Sequence, residues 1–149
     1  MQSLVLLTAL LLGATASPIQ QRETTQAKIT NFAAGTNPVD TGAAIGYNLE
    51  ISGLVSTRCD YSDTTSGSKL PPVGQIPCAD PAVKWQFRQD PSIPGTEGRY
   101  RIVVIYTPAT GVSKAGFHEW PATDFPVEVL RASQETVYLG ASDFSVDLA

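Results

Sequence analysis

The sequence predicts a single all-β domain, a compact antiparallel β-sandwich or β-barrel of about 8–9 strands. Three observations carry this. Apolar residues recur with a period of two in several separate short runs, the signature of half-buried strands. The 149 residues include 12 Gly and 11 Pro, spaced so that no stretch of helical period persists. The length suits one domain with a real core.

Each element follows from its pattern. Residues 17–26 (SPIQQRETTQ) lack periodicity and read as a flexible N-terminal segment, so the all-β domain is placed at 27–149. Ile29 to Phe32 opens it as a short strand. Across 43–52, Ile45, Tyr47, Leu49 and Ile51 alternate with Gly46, Asn48, Glu50 and Ser52, giving one buried and one wet face. Gly53 breaks this run and 54–59 forms the next strand. Residues 60–81 are rich in Ser, Thr, Asp, Pro and Gly and read as a long loop. Val83, Trp85 and Phe87 alternate with charged and polar neighbours. Tyr100, Ile102, Val104 and Tyr106 alternate with Arg101, Val103 and Ile105, which predicts a central strand buried on both faces. A turn at 107–111 leads into 112–119, and 125–130, 136–139 and 144–148 complete the set.

The N-terminus carries a different signal. Residues 4–13 (LVLLTALLLG) are apolar, too few to span a bilayer at about 20 residues. Ala14-Thr15-Ala16 follows as a small-residue cleavage site, so 1–16 is expected to be a secretory signal peptide. A second trimming after Arg22 is an open alternative. In an oxidising compartment the only two cysteines, Cys59 and Cys78, are most simply one intramolecular disulfide. They would then close 60–77 into a tethered surface loop.

Chemistry is sparse. The formal charge is −4 with 10 basic and 14 acidic residues, the wrong sign for nucleic acid or an anionic membrane, so neither is expected as a partner. One His and two Cys cannot build an ordinary zinc site, and the sequence predicts neither metal nor cofactor. His118 is the only imidazole, but Glu119 alternates to the other strand face and cannot orient it. No Gly-x-Ser-x-Gly elbow accompanies it. Asp60 and Asp63 are the first place to look for a glycosidase pair, although turns favour aspartate on conformational grounds alone. Tyr61 is an aromatic among polar loop residues, which suits partner contact. With Asp60, Asp63 and Lys69 it makes the candidate partner-binding loop, since binding residues concentrate on loops held by a rigid scaffold. The chain is therefore expected to be no enzyme.

The order of these features resembles a group of secreted fungal proteins, the AA1-like domain family of the Alternaria major allergen. The resemblance rests on the signal peptide followed by Pro18-Ile19-Gln20-Gln21-Arg22, on Ile29-Thr30-Asn31-Phe32, and on Gly46-Tyr47-Asn48-Leu49-Glu50-Ile51. It continues through Cys59 and Cys78 to Phe125-Pro126, Tyr138-Leu139-Gly140 and Ser142-Asp143-Phe144-Ser145-Val146. It implies a β-barrel or sandwich and a non-enzymatic role as an extracellular effector or elicitor. The target would be a plant host defence protein or receptor, with allergenicity in some members. The second disulfide and the intersubunit cysteine of the allergen type have no counterpart here, which leaves a monomer or a non-covalent dimer. Two other functions compete: a ligand-binding barrel for a phenolic or apolar small molecule, and a cell-wall-active hydrolase.

Overall fold

The structure, a computed structural model, describes residues 24–37, 42–64, 67–90, 98–131 and 133–149. The expected signal peptide and Arg22 lie outside the described residues. Ten strands are described: β1 (Thr25–Asn37), β2 (Gly42–Ile51), β3 (Val55–Asp63), β4 (Val73–Pro77), β5 (Val83–Asp90), β6 (Arg99–Tyr106), β7 (Lys114–Trp120), β8 (Val127–Leu130), β9 (Ser133–Thr136) and β10 (Phe144–Leu148). A 3₁₀ turn at Ala122–Asp124 separates β7 from β8.

Two four-stranded antiparallel sheets form the body, ordered β10-β1-β2-β3 (sheet I) and β4-β5-β6-β7 (sheet II). One hydrophobic core fills the space between them. Its largest fully buried side chains are Trp85, Tyr47, Phe87, Ile29, Ile45 and Leu49, from inward positions of both sheets. The expected inward residues of β2, β5 and β6 are all buried. Burial of these groups at about 1.5–3 kcal/mol each is the dominant stabilising term.

Both ends of the sandwich are closed. At one end Cys59 on β3 is bonded to Cys78 just past β4, with Cα atoms 4.3 Å apart. Beside the bridge, the Ala79 N–H donates to the Arg58 carbonyl at 2.8 Å and the Asp80 N–H to Thr57 Oγ1 at 2.8 Å. At the other end Ala115 of β7 and Ala149, just past β10, exchange two backbone hydrogen bonds of 3.2 and 3.1 Å. Here Gly116 lies against β10 so closely that a Cβ would overlap the Asp147 carbonyl oxygen. Only glycine fits that approach.

Several expectations are corrected. Strand β1 is much longer than Ile29–Phe32 and begins at Thr25, inside the segment expected to be flexible. Thr25 and Gln26 pair with Leu148 and Asp147 of β10, which holds them in the sheet. Its buried residues switch from Ala27 and Ile29 to Phe32, Ala34 and Thr36. A register shift between Thr30 and Ala33 with Asn31 at φ 55° causes the switch: one extra residue reverses the face. Strand β6 is central, but its outer residues Arg101, Val103 and Ile105 are only half-buried, since no sheet of the described residues covers them. The segment expected at 125–130 supplies β8, which pairs in a hairpin with β9; of 136–139 only Thr136 lies in β9, and Phe125 points into the core.

The tethered loop changes most. Residues 60–63 are not loop but the second half of β3, paired with β2 from Gly46↔Asp60 to Ala43↔Asp63. Residues 73–77 form β4, with Val73 and Leu70 buried. The bridge thus joins the edge strands of the two sheets. Ladder pairing to β2 overrides the turn-like composition of Asp60, Ser62 and Asp63.

Candidate interaction surface

The outer face of sheet I is built from very small residues over its upper half. Register places Ala33, Gly46 and Asp60 in one row across β1, β2 and β3, and Gly35, Ala44 and Ser62 in the next. A strand face without bulk leaves a depression of about 780 Å³ over these rows. Its rim is charged. Arg58 lies over Gly46, where a Cβ would collide with the guanidinium, and Arg58 Nε donates to Asp60 Oδ1 at 2.8 Å. The two side chains are 45% and 60% exposed, so the pair adds little stability and stands available for contact.

The depression borders an apolar element. Strand β1 pairs with β10 only through its first half, and beyond the bulge its free edge is taken by the hairpin segment. Gly35 bridges to Val137, and the Tyr138 N–H donates to the Ala34 carbonyl at 2.9 Å. Thr136, buried, anchors the base through its N–H to Thr36 Oγ1 (2.8 Å) and its hydroxyl to the Ser68 carbonyl (2.6 Å). Above this base β8 shows solvent three large aliphatic side chains, Val127 (50% exposed), Val129 (68%) and Leu130 (45%), and Leu139, just past β9, adds a fourth (63%). Gly35 thus belongs to both the depression and the hairpin's attachment. The hairpin's attachment borders the depression at Gly35, where a Cβ would lie 3.4 Å from the Thr136 carbonyl oxygen.

The residues singled out from sequence are not gathered in one place. Asp60 faces outward on the depression. Tyr61 and Asp63 lie on the opposite face of β3, where the Tyr61 hydroxyl donates to Asp63 Oδ2 at 2.9 Å. That bond, then burial and the charge of Asp63, raise the Tyr61 pKa. Lys69 is exposed in the connection between β3 and β4. An odd spacing along a strand sends Asp60 and Asp63 to opposite faces, so these carboxylates do not converge on a glycosidic bond. The hairpin aliphatics were missed because residues 125–130 read only as one more strand of the set, with no face assigned. The small-residue rows were missed because glycine and alanine carry no chemical signature.

His118 sits half-buried on the inward side of β7, stacked on Phe144 (centroids 4.4 Å) and edge-on to Trp120 (4.8 Å). Glu119 points outward and accepts from Arg101 Nε at 2.8 Å. Burial lowers the His118 pKa, opposed by the charges of Asp124 and Glu119. A histidine whose folded pKa is depressed takes up its proton more readily when unfolded. Its contribution to stability is therefore complete above the unfolded value near 6.5 and declines on acidification. Melting temperature should fall more between about pH 7.5 and about pH 5 in the parent than in His118→Gln, which has no proton to take up. Equal slopes would contradict this placement of the ring. Among the described residues no three His, Cys, Asp or Glu side chains come together to hold a metal ion.

Neither a protein-family model nor a curated protein sequence matches the chain. Among solved structures it is similar to the allergen Alt a 1 of Alternaria alternata. The TM-score is 0.51 at 14% identity, over 90% of this chain and 95% of that chain. The likeness shows a shared fold across nearly the whole of both chains.

Proposed function

We propose that this chain is a secreted, non-enzymatic, fungal allergen-like interaction protein, an effector or elicitor that binds an extracellular host protein through the outer face of sheet I and the β8–β9 hairpin. The observation that carries the reading is the set of exposed aliphatic residues, Val127, Val129 and Leu130 on β8 and Leu139 just past β9, on the element attached beside a depression floored by glycine and alanine. An exposed apolar patch rimmed by polar groups marks an interaction site. The fold shared with an allergen and the buried disulfide, a bond that persists in oxidising compartments, support the extracellular setting. The side chains that fill the core favour contact on the exterior over a small-molecule carrier. Asp60 and Asp63 on opposite faces, and His118 between aromatic rings, favour binding over hydrolysis.

Immobilised protein incubated with host extracellular fluid tests this. Ala44→Trp fills the depression and Val129→Ser removes apolar area; both sites are exposed, so folding should persist. Retention of a specific host protein should drop by at least about tenfold in the double variant, the size of effect expected at a contact centre. Retention unchanged by the two substitutions would refute the surface. Release of sugar from host cell-wall glycan by the parent protein would refute the non-enzymatic reading.

A further inference from the structure

The opposite side of the sandwich, the outer face of sheet II, has a different character. Register across β5, β6 and β7 sets it out in rows: Lys84, Ile105 and Ala115; then Gln86, Val103 and Phe117; then Arg88, Arg101 and Glu119; and last Asp90 with Arg99. Phe117 is 59% exposed and the Arg101 guanidinium lies 5.0 Å from its ring centroid. Val103 and Ile105 are half-exposed beside it. Two acids share the face, but both are tucked beneath guanidinium groups. Asp90 is 11% exposed and Glu119 28%, whereas Arg88 and Arg99 are 51% and 50% exposed. Glu119 is already held by Arg101, whose Nε donates to it at 2.8 Å, whereas the exposed Arg88 and Arg99 reach the acids only at 3.9 Å (Asp90) and 3.8 Å (Glu119). A chain of net charge −4 thus presents solvent with Lys84, Arg88 and Arg99 around a partly exposed phenyl ring.

We infer that this face docks an extended acidic segment of a partner polypeptide, with carboxylates at alternate positions on either side of an aromatic or large aliphatic residue. The rows dictate the pattern. Successive outward rows of a strand are two residues apart, about 6.6–6.8 Å, the same repeat as side chains i, i+2 and i+4 of an extended peptide laid alongside. The outer rows offer Lys84 at one end and the half-exposed Arg88 guanidinium at the other, with Arg99 one row beyond; Arg101 is occupied by Glu119. Between them lies the apolar row of Val103 and Phe117. An acid–apolar–acid alternation matches all three rows at once. Carboxylate oxygens accept from guanidinium N–H groups in forked pairs, and the bound apolar side chain covers the phenyl ring. A bare polyanion has nothing to place on the middle row. The docking also relieves the repulsion among neighbouring cations that the two covered acids only partly offset. This reading is independent of the sheet I surface, which faces the other way, and its variants touch none of that surface.

The test uses the purified disulfide-bonded protein and a fluorescein-labelled peptide, Glu-Thr-Phe-Thr-Glu-Thr-Phe-Thr-Glu, followed by fluorescence anisotropy. Saturable binding is expected, weakening as salt rises through about 0.05–0.3 M because exposed charges are screened. The Arg88→Glu/Arg99→Glu variant and Phe117→Ser should each lose at least about tenfold in affinity. The same peptide with Gln for Glu should not bind. All substituted side chains are exposed, and a melting curve for each variant checks folding; Lys84→Glu provides a third, independent variant. No binding by the parent, or equal binding by the variants, would overturn the inference. Dextran sulfate binding to Phe117→Ser as tightly as the peptide binds the parent would overturn it in favour of an unspecific polyanion surface. Sedimentation showing parent self-association abolished in Phe117→Ser would assign the face to a second copy of the chain.

Discussion

Cys59→Ala/Cys78→Ala is expected to lose about 2–5 kcal/mol of stability relative to the oxidised parent, read from urea denaturation midpoints. The chain-entropy component for a bridge spanning 19 residues is about 3 kcal/mol. Geometry adds a reason for the upper part of the range. Cys59 is fully buried in the middle of β3, and β3 is an edge strand whose ladder partner among the described residues is β2 alone. Without the bridge, that end of the sandwich is held by the backbone bond from Ala79 to Arg58 and the bond from Asp80 to Thr57. Fraying of β3 would then take with it Arg58, Asp60 and Ser62, the rim of the depression. Binding should therefore weaken along with stability. A double variant within about 0.5 kcal/mol of the parent, the scale of an ordinary surface substitution, would show that the bridge only decorates a closed core.

Trp120→Ala should cost about 3–5 kcal/mol, the range for removing a large aromatic from a packed site. Trp120 is 4% exposed and touches rings from four parts of the chain. It stacks on Phe32 of β1 at 4.9 Å and meets Phe144 of β10 edge-on at 5.2 Å, with Phe125 and Tyr138 each at 5.7 Å. Phe125 and Tyr138 flank the β8–β9 hairpin, so this indole anchors the element that carries the exposed aliphatics. Amide exchange in 124–139 should accelerate more than exchange in β5 and β6. A loss below about 1.5 kcal/mol would mean that neighbouring rings collapse into the space, which the variable cost of such truncations allows for in looser sites.

Much of the body was legible because its strands are half-buried. Ile45, Tyr47, Leu49 and Ile51, or Val83, Trp85 and Phe87, declare their inward face through period-two alternation, and each is buried as read. The disulfide was legible for a different reason: a chain expected to be secreted, with only two cysteines, leaves one pairing. What failed was everything that depends on partners distant in sequence. The bulge at Asn31 is stabilised by the Asp143 carboxylate, which accepts from the Asn31 N–H at 3.0 Å, and by the Ser142 carbonyl, which accepts from the Phe32 N–H at 2.8 Å. Neither contact is visible in residues 25–37. Strand identity at 60–63 comes from β2, against a local composition that favours turns. The exposed hairpin defeated the alternation rule from the other side: Val127, Val129 and Leu130 have the composition of a buried strand and no core to face.

The candidate surface was legible only at its rim. Asp60 stood out as a carboxylate of the candidate partner-binding loop, and it does border the depression. Tyr61 and Asp63 drew notice for the same composition but fold to the other side of β3 and satisfy each other. A Tyr61 substitution would therefore test packing as much as binding. The floor of Ala33, Gly35, Ala44 and Gly46 acquires meaning only when strand register lines it up.

Site-specific photo-crosslinking addresses the proposed contact most directly. A benzophenone amino acid placed at Ser62 projects over the depression, and one placed at Leu54, in the turn between β2 and β3, projects from the far end of the same sheet. Both positions are exposed. Illumination in host extracellular fluid should join the Ser62-labelled protein to a discrete host polypeptide and leave the Leu54-labelled protein without that adduct. Equal adducts from both positions, or none from Ser62 while the parent protein still retains its host partner, would contradict binding through the outer face of sheet I.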